Sequence, residues 1–99
     1  MVEKIYPQST DYILNTINDI VELQNAKLTF SDTPNGRIHF LVRMYAYKYE
    51  LQFAVTSVDE TSSKVAFAIA GAELGRDNML CHEITLFESM LKPGTRASA

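Results

Sequence analysis

The chain has 99 residues, 46% of them apolar and 21% charged, and a formal net charge of −3. That length holds one core and excludes a second domain, and the composition is that of an ordered globular domain rather than a disordered or fibrous chain. Nine Lys and Arg scattered through an acidic protein also exclude nucleic acid as the expected partner, because phosphate binding needs a clustered basic surface.

No apolar run reaches the roughly 18 to 20 residues that span a bilayer, and the opening MVEKIYPQST lacks the basic start and apolar core of a signal peptide. A cytoplasmic location without membrane contact is therefore expected. The lone Cys81 can form no internal disulfide, which agrees with a reducing compartment.

Val2 to Tyr6 predicts a short first strand, with Val2, Lys4 and Tyr6 on one face, Glu3 and Ile5 on the other, and Pro7 ending it. Ser9 or Thr10 offers an N-cap oxygen, and Asp11 lies in the first turn, where the helix dipole favours an anion. Ile13, Leu14, Ile17, Ile20 and Val21 then recur at helical spacing. Positions 10–24 thus predict an amphipathic helix whose Asn15, Asn18, Asp19 and Glu22 face away from the stripe, with Asn25 as its stop.

Lys27 to Ser31 alternates with Leu28 and Phe30 inward, and Asp32-Thr33-Pro34-Asn35-Gly36 is the strongest turn signal of the chain, so a hairpin is expected. The most strand-like stretch follows. Ile38, Phe40, Val42 and Met44 are apolar at even positions, whereas Tyr47, Tyr49, Leu51, Phe53 and Val55 are apolar at odd ones. Side chains flip face at every strand residue, so the change of phase near Tyr45-Ala46 demands a bulge or a tight turn. Two antiparallel strands, roughly 37–45 and 47–57, are favoured, because one straight strand at about 3.3 Å per residue would outgrow so small a domain. A single strongly bent strand is the alternative.

Asp59 to Ser63 predicts a polar turn, and Lys64 to Ala70 a further strand with Val65, Phe67 and Ile69 on one face and Ala66, Ala68 and Ala70 on the other. Gly71 and Gly75 bracket a loop, and Asp77 or Asn78 caps a second helix carrying Leu80, Ile84, Phe87 and Leu91. Lys92-Pro93-Gly94 is expected to stop it. The domain is then 1–94, with 95–99 as a disordered tail.

The order β-α-β-β-β-β-α gives an α+β fold: two layers, an antiparallel sheet of four to five strands, and the N-terminal and C-terminal helices packed on one face, the only apolar surface available to both. The opposite face is expected to carry His39, Leu41, Arg43 and Tyr45 from one strand and Lys48, Glu50 and Gln52 from the next.

Little in the chain points to chemistry. Adjacent Cys81 and His82 on a helix point about 100° apart and match no zinc spacing, so neither a metal nor a cysteine–histidine catalytic pair is expected, and Cys81, near the apolar stripe, is expected as a small core residue. Gly71-x-x-x-Gly75 followed by Arg76-Asp77 is no phosphate loop, and no cofactor is expected. The one feature above background is the aromatic group Tyr45, Tyr47 and Tyr49 with His39 and Arg43 nearby, residue types suited to docking. The plain alternative makes Tyr47 and Tyr49 core and Tyr45 an edge residue.

The order of elements resembles a very small helix-grip (START-like) domain, in which a curved antiparallel sheet wraps a long C-terminal helix. Gly75-Arg76-Asp77-Asn78 before Leu80, Ile84 and Phe87 is also similar to uncharacterised small bacterial domains in which Gly-Arg-x-Asp leads into a terminal helix. Here the intervening residue is missing. The second resemblance implies no catalytic residue. The first implies a small apolar ligand between sheet and helix, lined by Phe40, Met44, Phe53, Phe67, Ile84 and Phe87, although an open cavity would forfeit packing worth several kcal/mol.

The leading expectation is a non-enzymatic binding or assembly module that self-associates or docks a protein through the outer sheet face near His39, Arg43 and Tyr45. The second is a carrier of a small apolar ligand. The third, an enzyme using His39 or His82 as acid or base, lacks an evident partner for either histidine.

Overall fold

The computed structural model describes residues 1–44, 47–71 and 76–96, and the side chains of all of these except 44, 47, 76 and 92–96. The elements are β1 (Val2–Tyr6), α1 (Thr10–Leu23), β2 (Lys27–Asp32), a single 3-10 turn (Thr33–Asn35), β3 (Arg37–Met44), β4 (Tyr47–Asp59), β5 (Ser62–Ala70) and α2 (Arg76–Arg96). All four strand pairings are antiparallel, in the spatial order β1-β5-β4-β3-β2. The fold is therefore α+β in the expected element order, with five strands. None of its helices, among the described residues, is long and apolar enough to cross a membrane.

The stretch 37–57 is two strands, not one bent strand. Ile38 faces Phe53, Phe40 faces Leu51 and Val42 faces Tyr49 across the β3–β4 ladder, and all six are buried. Even positions on β3 meet odd positions on β4, so the change of phase brings both apolar sets to the same side. Against them lie Ile13, Ile17 and Ile20 of α1 and Leu80, Ile84, Phe87 and Leu91 of α2.

Local chemistry fixes the ends of α1. The Ser9 hydroxyl accepts the Tyr12 N–H at 3.3 Å, and Asp11 sits in the first turn. At the other end Asn25 takes a left-handed φ of 51°. Its N–H reaches the Glu22 carbonyl at 3.1 Å, and the Ala26 N–H reaches Val21 at 2.9 Å. That is a Schellman closure, for which Asn is the usual substitute for Gly. In the β2–β3 connection Gly36 has φ 70° and donates from its N–H to Thr33. A Cβ there would run into the Val55 carbonyl oxygen, so both conformation and space require glycine.

Four local expectations are corrected. Leu28 and Phe30 do not share a face: a bulge between them sets Leu28 opposite Phe40 and Phe30 opposite His39. One extra residue in a ladder inverts the side-chain phase beyond it. Helix α2 begins at Arg76, so Asp77 lies within its first turn rather than capping it. It also runs to Arg96, past the expected stop at Pro93-Gly94, although Pro93 has no N–H to donate one turn back. Cys81 is exposed, not core, because it falls about 100° around the helix from Leu80.

One polar group is buried in the interior. Glu83, 1% exposed on α2, accepts the Tyr49 hydroxyl of β4 and the Gln24 side-chain amide, each at 2.8 Å on Oε2. Its other oxygen is buried and lacks a hydrogen-bond donor among the described residues. Burial first, then the bond to Glu83, pushes the Tyr49 phenol well above its ordinary value of 10.0. A raised folded-state value means that the contribution of Tyr49 to stability is intact below pH 10.0 and is lost as the pH climbs beyond it. Tyr49→Phe is expected to cost about 1–3 kcal/mol at neutral pH, because it withdraws one donor from a buried carboxyl. It should also flatten the fall in stability above pH 10.0; urea unfolding at pH 7 and across the alkaline range measures both effects.

Candidate functional site

Strand alternation that sends the apolar sets inward sends a second set to the opposite face, and register aligns that set in rows across the sheet. Phe30 lies opposite His39, His39 opposite Gln52, and Gln52 opposite Ala68. The next row runs Lys27, Leu41, Glu50, Ala70. On the other side lies Asp32, Arg37, Ala54, Ala66, Glu3. Both helices pack on the far side, and none of the described residues forms a second layer over these rows.

The centre of the face is built around His39. Its ring lies 5.0 Å from that of Phe30, at a tilt of 42°, and Phe30 keeps 45% of its surface exposed. Beside this pair Glu50 is held in place: Thr29 donates its hydroxyl to Oε2 at 2.7 Å and Gln52 its amide to Oε1 at 2.9 Å. The Thr29 bond, then the Gln52 bond, with a smaller pull from His39, hold the Glu50 carboxyl below its usual range. Toward β5 the side chains shorten to Ala54, Ala66, Ala68 and Ala70, all partly exposed. The result is a low methyl floor between Phe30, His39 and Leu41 on one side and Ile5 of β1 on the other.

His39 and Arg43 both lie on this face, as alternation requires, but four residues apart on β3, about 13 Å at strand rise. They belong to different neighbourhoods. Arg43 is exposed and lies opposite Lys48, next to a groove of about 360 Å³ lined by Gln24, Asn25, Lys27, Leu41 and Arg43. Tyr45 lies outside the described residues, as does the side chain of Met44.

The other residues considered as ligand lining form the core. Phe40 stacks on Phe53 at 5.6 Å, Phe53 meets Phe67 edge-on at 5.1 Å, and Phe87 lies 5.5 and 5.7 Å from Phe67 and Phe53. Ile84 is buried beside them. Cys81 and His82 are exposed on α2. Among the described residues no three or more His, Cys, Asp or Glu gather as metal ligands.

Glu50 lies on the face as alternation requires, whereas Phe30 and Thr29 are the members of the face that sequence reasoning did not assemble. A bulge leaves no periodic mark in a six-residue strand, so the outward turn of Phe30 had no signal. Thr29→Val removes the stronger of the two bonds to Glu50, and the Glu50 carboxyl is expected to rise toward its ordinary 4.5 in a carboxyl NMR titration. With the folded-state value lowered, what Glu50 adds to folding is present above that ordinary value and fades as the pH falls through the acid range. No protein-family model and no curated protein matches this chain.

Proposed function

We propose that this domain is a non-enzymatic binding or assembly module that docks a second copy of itself, or another protein, through the outer sheet face. The carrying observation is the uncovered face itself. A solvated antiparallel face ordinarily alternates to polar side chains, whereas here it presents Phe30, Leu41, the alanine floor and Ile5, the last 64% exposed. Apolar surface rimmed by charge is the composition of a docking patch.

Its charges favour a second copy as the occupant. Glu3, Asp32 and Glu50 share the face with Lys27, Arg37, Arg43, Lys48 and Lys64, so two such faces related by a two-fold axis can set opposite signs against each other. Sheets stack face to face at about 10 Å, a separation that small floor residues and projecting aromatic rings can fill together. The carrier reading draws less support, because the aromatic rings it would need as lining are already in contact with one another.

Light scattering over a range of concentrations tests the proposal. The wild type is expected above the monomer mass, and Phe30→Asp, which places a charge at the exposed centre of the face, is expected to return it to the monomer with folding retained. A wild type that stays monomeric throughout, with no effect of Phe30→Asp on capture of a protein partner, contradicts it.

A further inference from the structure

Strand β3 outruns its neighbour. The first paired residue of β2, Lys27, lies opposite Leu41, and the chain before it turns away through left-handed Asn25 into α1. No described strand therefore lies beside Val42 to Met44 on that side, and alternate N–H and C=O groups there face the groove lined by Gln24, Asn25, Lys27, Leu41 and Arg43. Lys27 and Arg43 border this short edge on one face of the sheet, and Lys48 stands behind Arg43 on β4.

Arg43 stands directly opposite Lys48, a like-charge cross-strand pair that costs stability in the free protein. No carboxylate among the described residues is bonded to either side chain. Among the described residues the one ion pair is Lys4 with Glu88, on the far edge of the sheet. The closest acid on this face, Glu50, has its two oxygens engaged by Thr29 and Gln52, and Glu22 lies on the outward side of α1. In a protein of net charge −3, this corner thus gathers three cations around one carboxylate, Glu50, among the described residues.

We propose that this corner docks an extended acidic segment of a partner protein, which adds alongside β3 where β2 falls short. Backbone groups of the segment pair with the free edge. Side chains of an extended segment alternate between faces, so acidic residues at every second position would meet Lys27 and Arg43 directly and offset the repulsion that Arg43 meets from Lys48 behind it. The inference names a partner chemistry at the Arg43 end of the outer face and rests on the reading of that face as a docking surface, since Lys27, Arg43 and Lys48 all lie on it.

The probe is a synthetic peptide alternating Glu and Thr, titrated into isotope-labelled protein and followed by amide NMR shifts. Shifts are expected at Lys27, Leu41, Val42 and Arg43, with affinity falling as salt rises. Lys48→Glu converts the like-charge pair to an opposite one, so it should raise the melting temperature of the free protein while weakening the peptide about tenfold or more, or roughly 1.4 kcal/mol. Equal binding of a Gln-Thr peptide, shifts confined to other surfaces, unchanged affinity in Lys48→Glu, or the same shifts with inorganic phosphate alone would each overturn the proposal. Failure of the peptide in a protein whose solution mass exceeds the monomer removes this inference and leaves self-association standing; binding by a strictly monomeric protein does the reverse.

Discussion

Residues paired across an antiparallel hairpin share a face, and the rest of this structure depends on how β3 and β4 meet that constraint. The even apolar positions of β3 can serve the same core as the odd ones of β4 only if the register sets even against odd, as Ile38 with Phe53 and Val42 with Tyr49 do. A slip of one residue would turn Tyr49, Leu51, Phe53 and Val55 to the outside. Once the register holds, everything on the other parity is committed outward, which is why His39, Leu41, Arg43, Glu50 and Gln52 form one surface. The uncovered face is a consequence of the core.

Apolar burial supplies most of the stabilisation, but it is non-directional and tolerates sliding. The Glu83 group adds direction. Its Oε2 takes one donor from β4 and one from Gln24 at the end of α1, so a single atom of α2 is tied to both neighbouring elements at bonded distance. Outside this point α2 meets the sheet mainly through Phe87 and its ring contacts with Tyr6, Phe53 and Phe67, and through Glu88, which accepts from Tyr6 at 2.7 Å and Lys4 at 3.0 Å. Packing holds the two layers together, and the two carboxyl groups fix where along the sheet the helix lies.

Much of this was legible in the residues, for reasons that are local. Ser9 and Asn25 bound α1 through their own side-chain and backbone chemistry, Pro34 and Gly36 make the β2–β3 turn, and two opposed alternations announced the β3–β4 hairpin. The outward placement of His39 and Arg43 followed from alternation alone. What escaped depends on partners distant in sequence or on an irregularity. The pairing of β1 with β5 is a tertiary choice with no local signature. The bulge that turns Phe30 outward breaks periodicity in a strand too short to show it. Glu83 stood on the apolar stripe between Leu80 and Phe87, a position at which a charged residue predicts a buried partner, but only the fold reveals that Tyr49 and Gln24 supply it.

A docking face should reveal itself residue by residue when the protein is concentrated. Amide shifts and their broadening, recorded from dilute to concentrated solution, test this most directly. The account predicts changes gathered on Phe30, His39, Leu41, Gln52 and Ala68, with Asn15, Asn18 and Glu22 on the outward side of α1 unmoved. Changes centred on the helical layer instead, or none over the whole range with the outer face equally open to a paramagnetic cosolute, would contradict it.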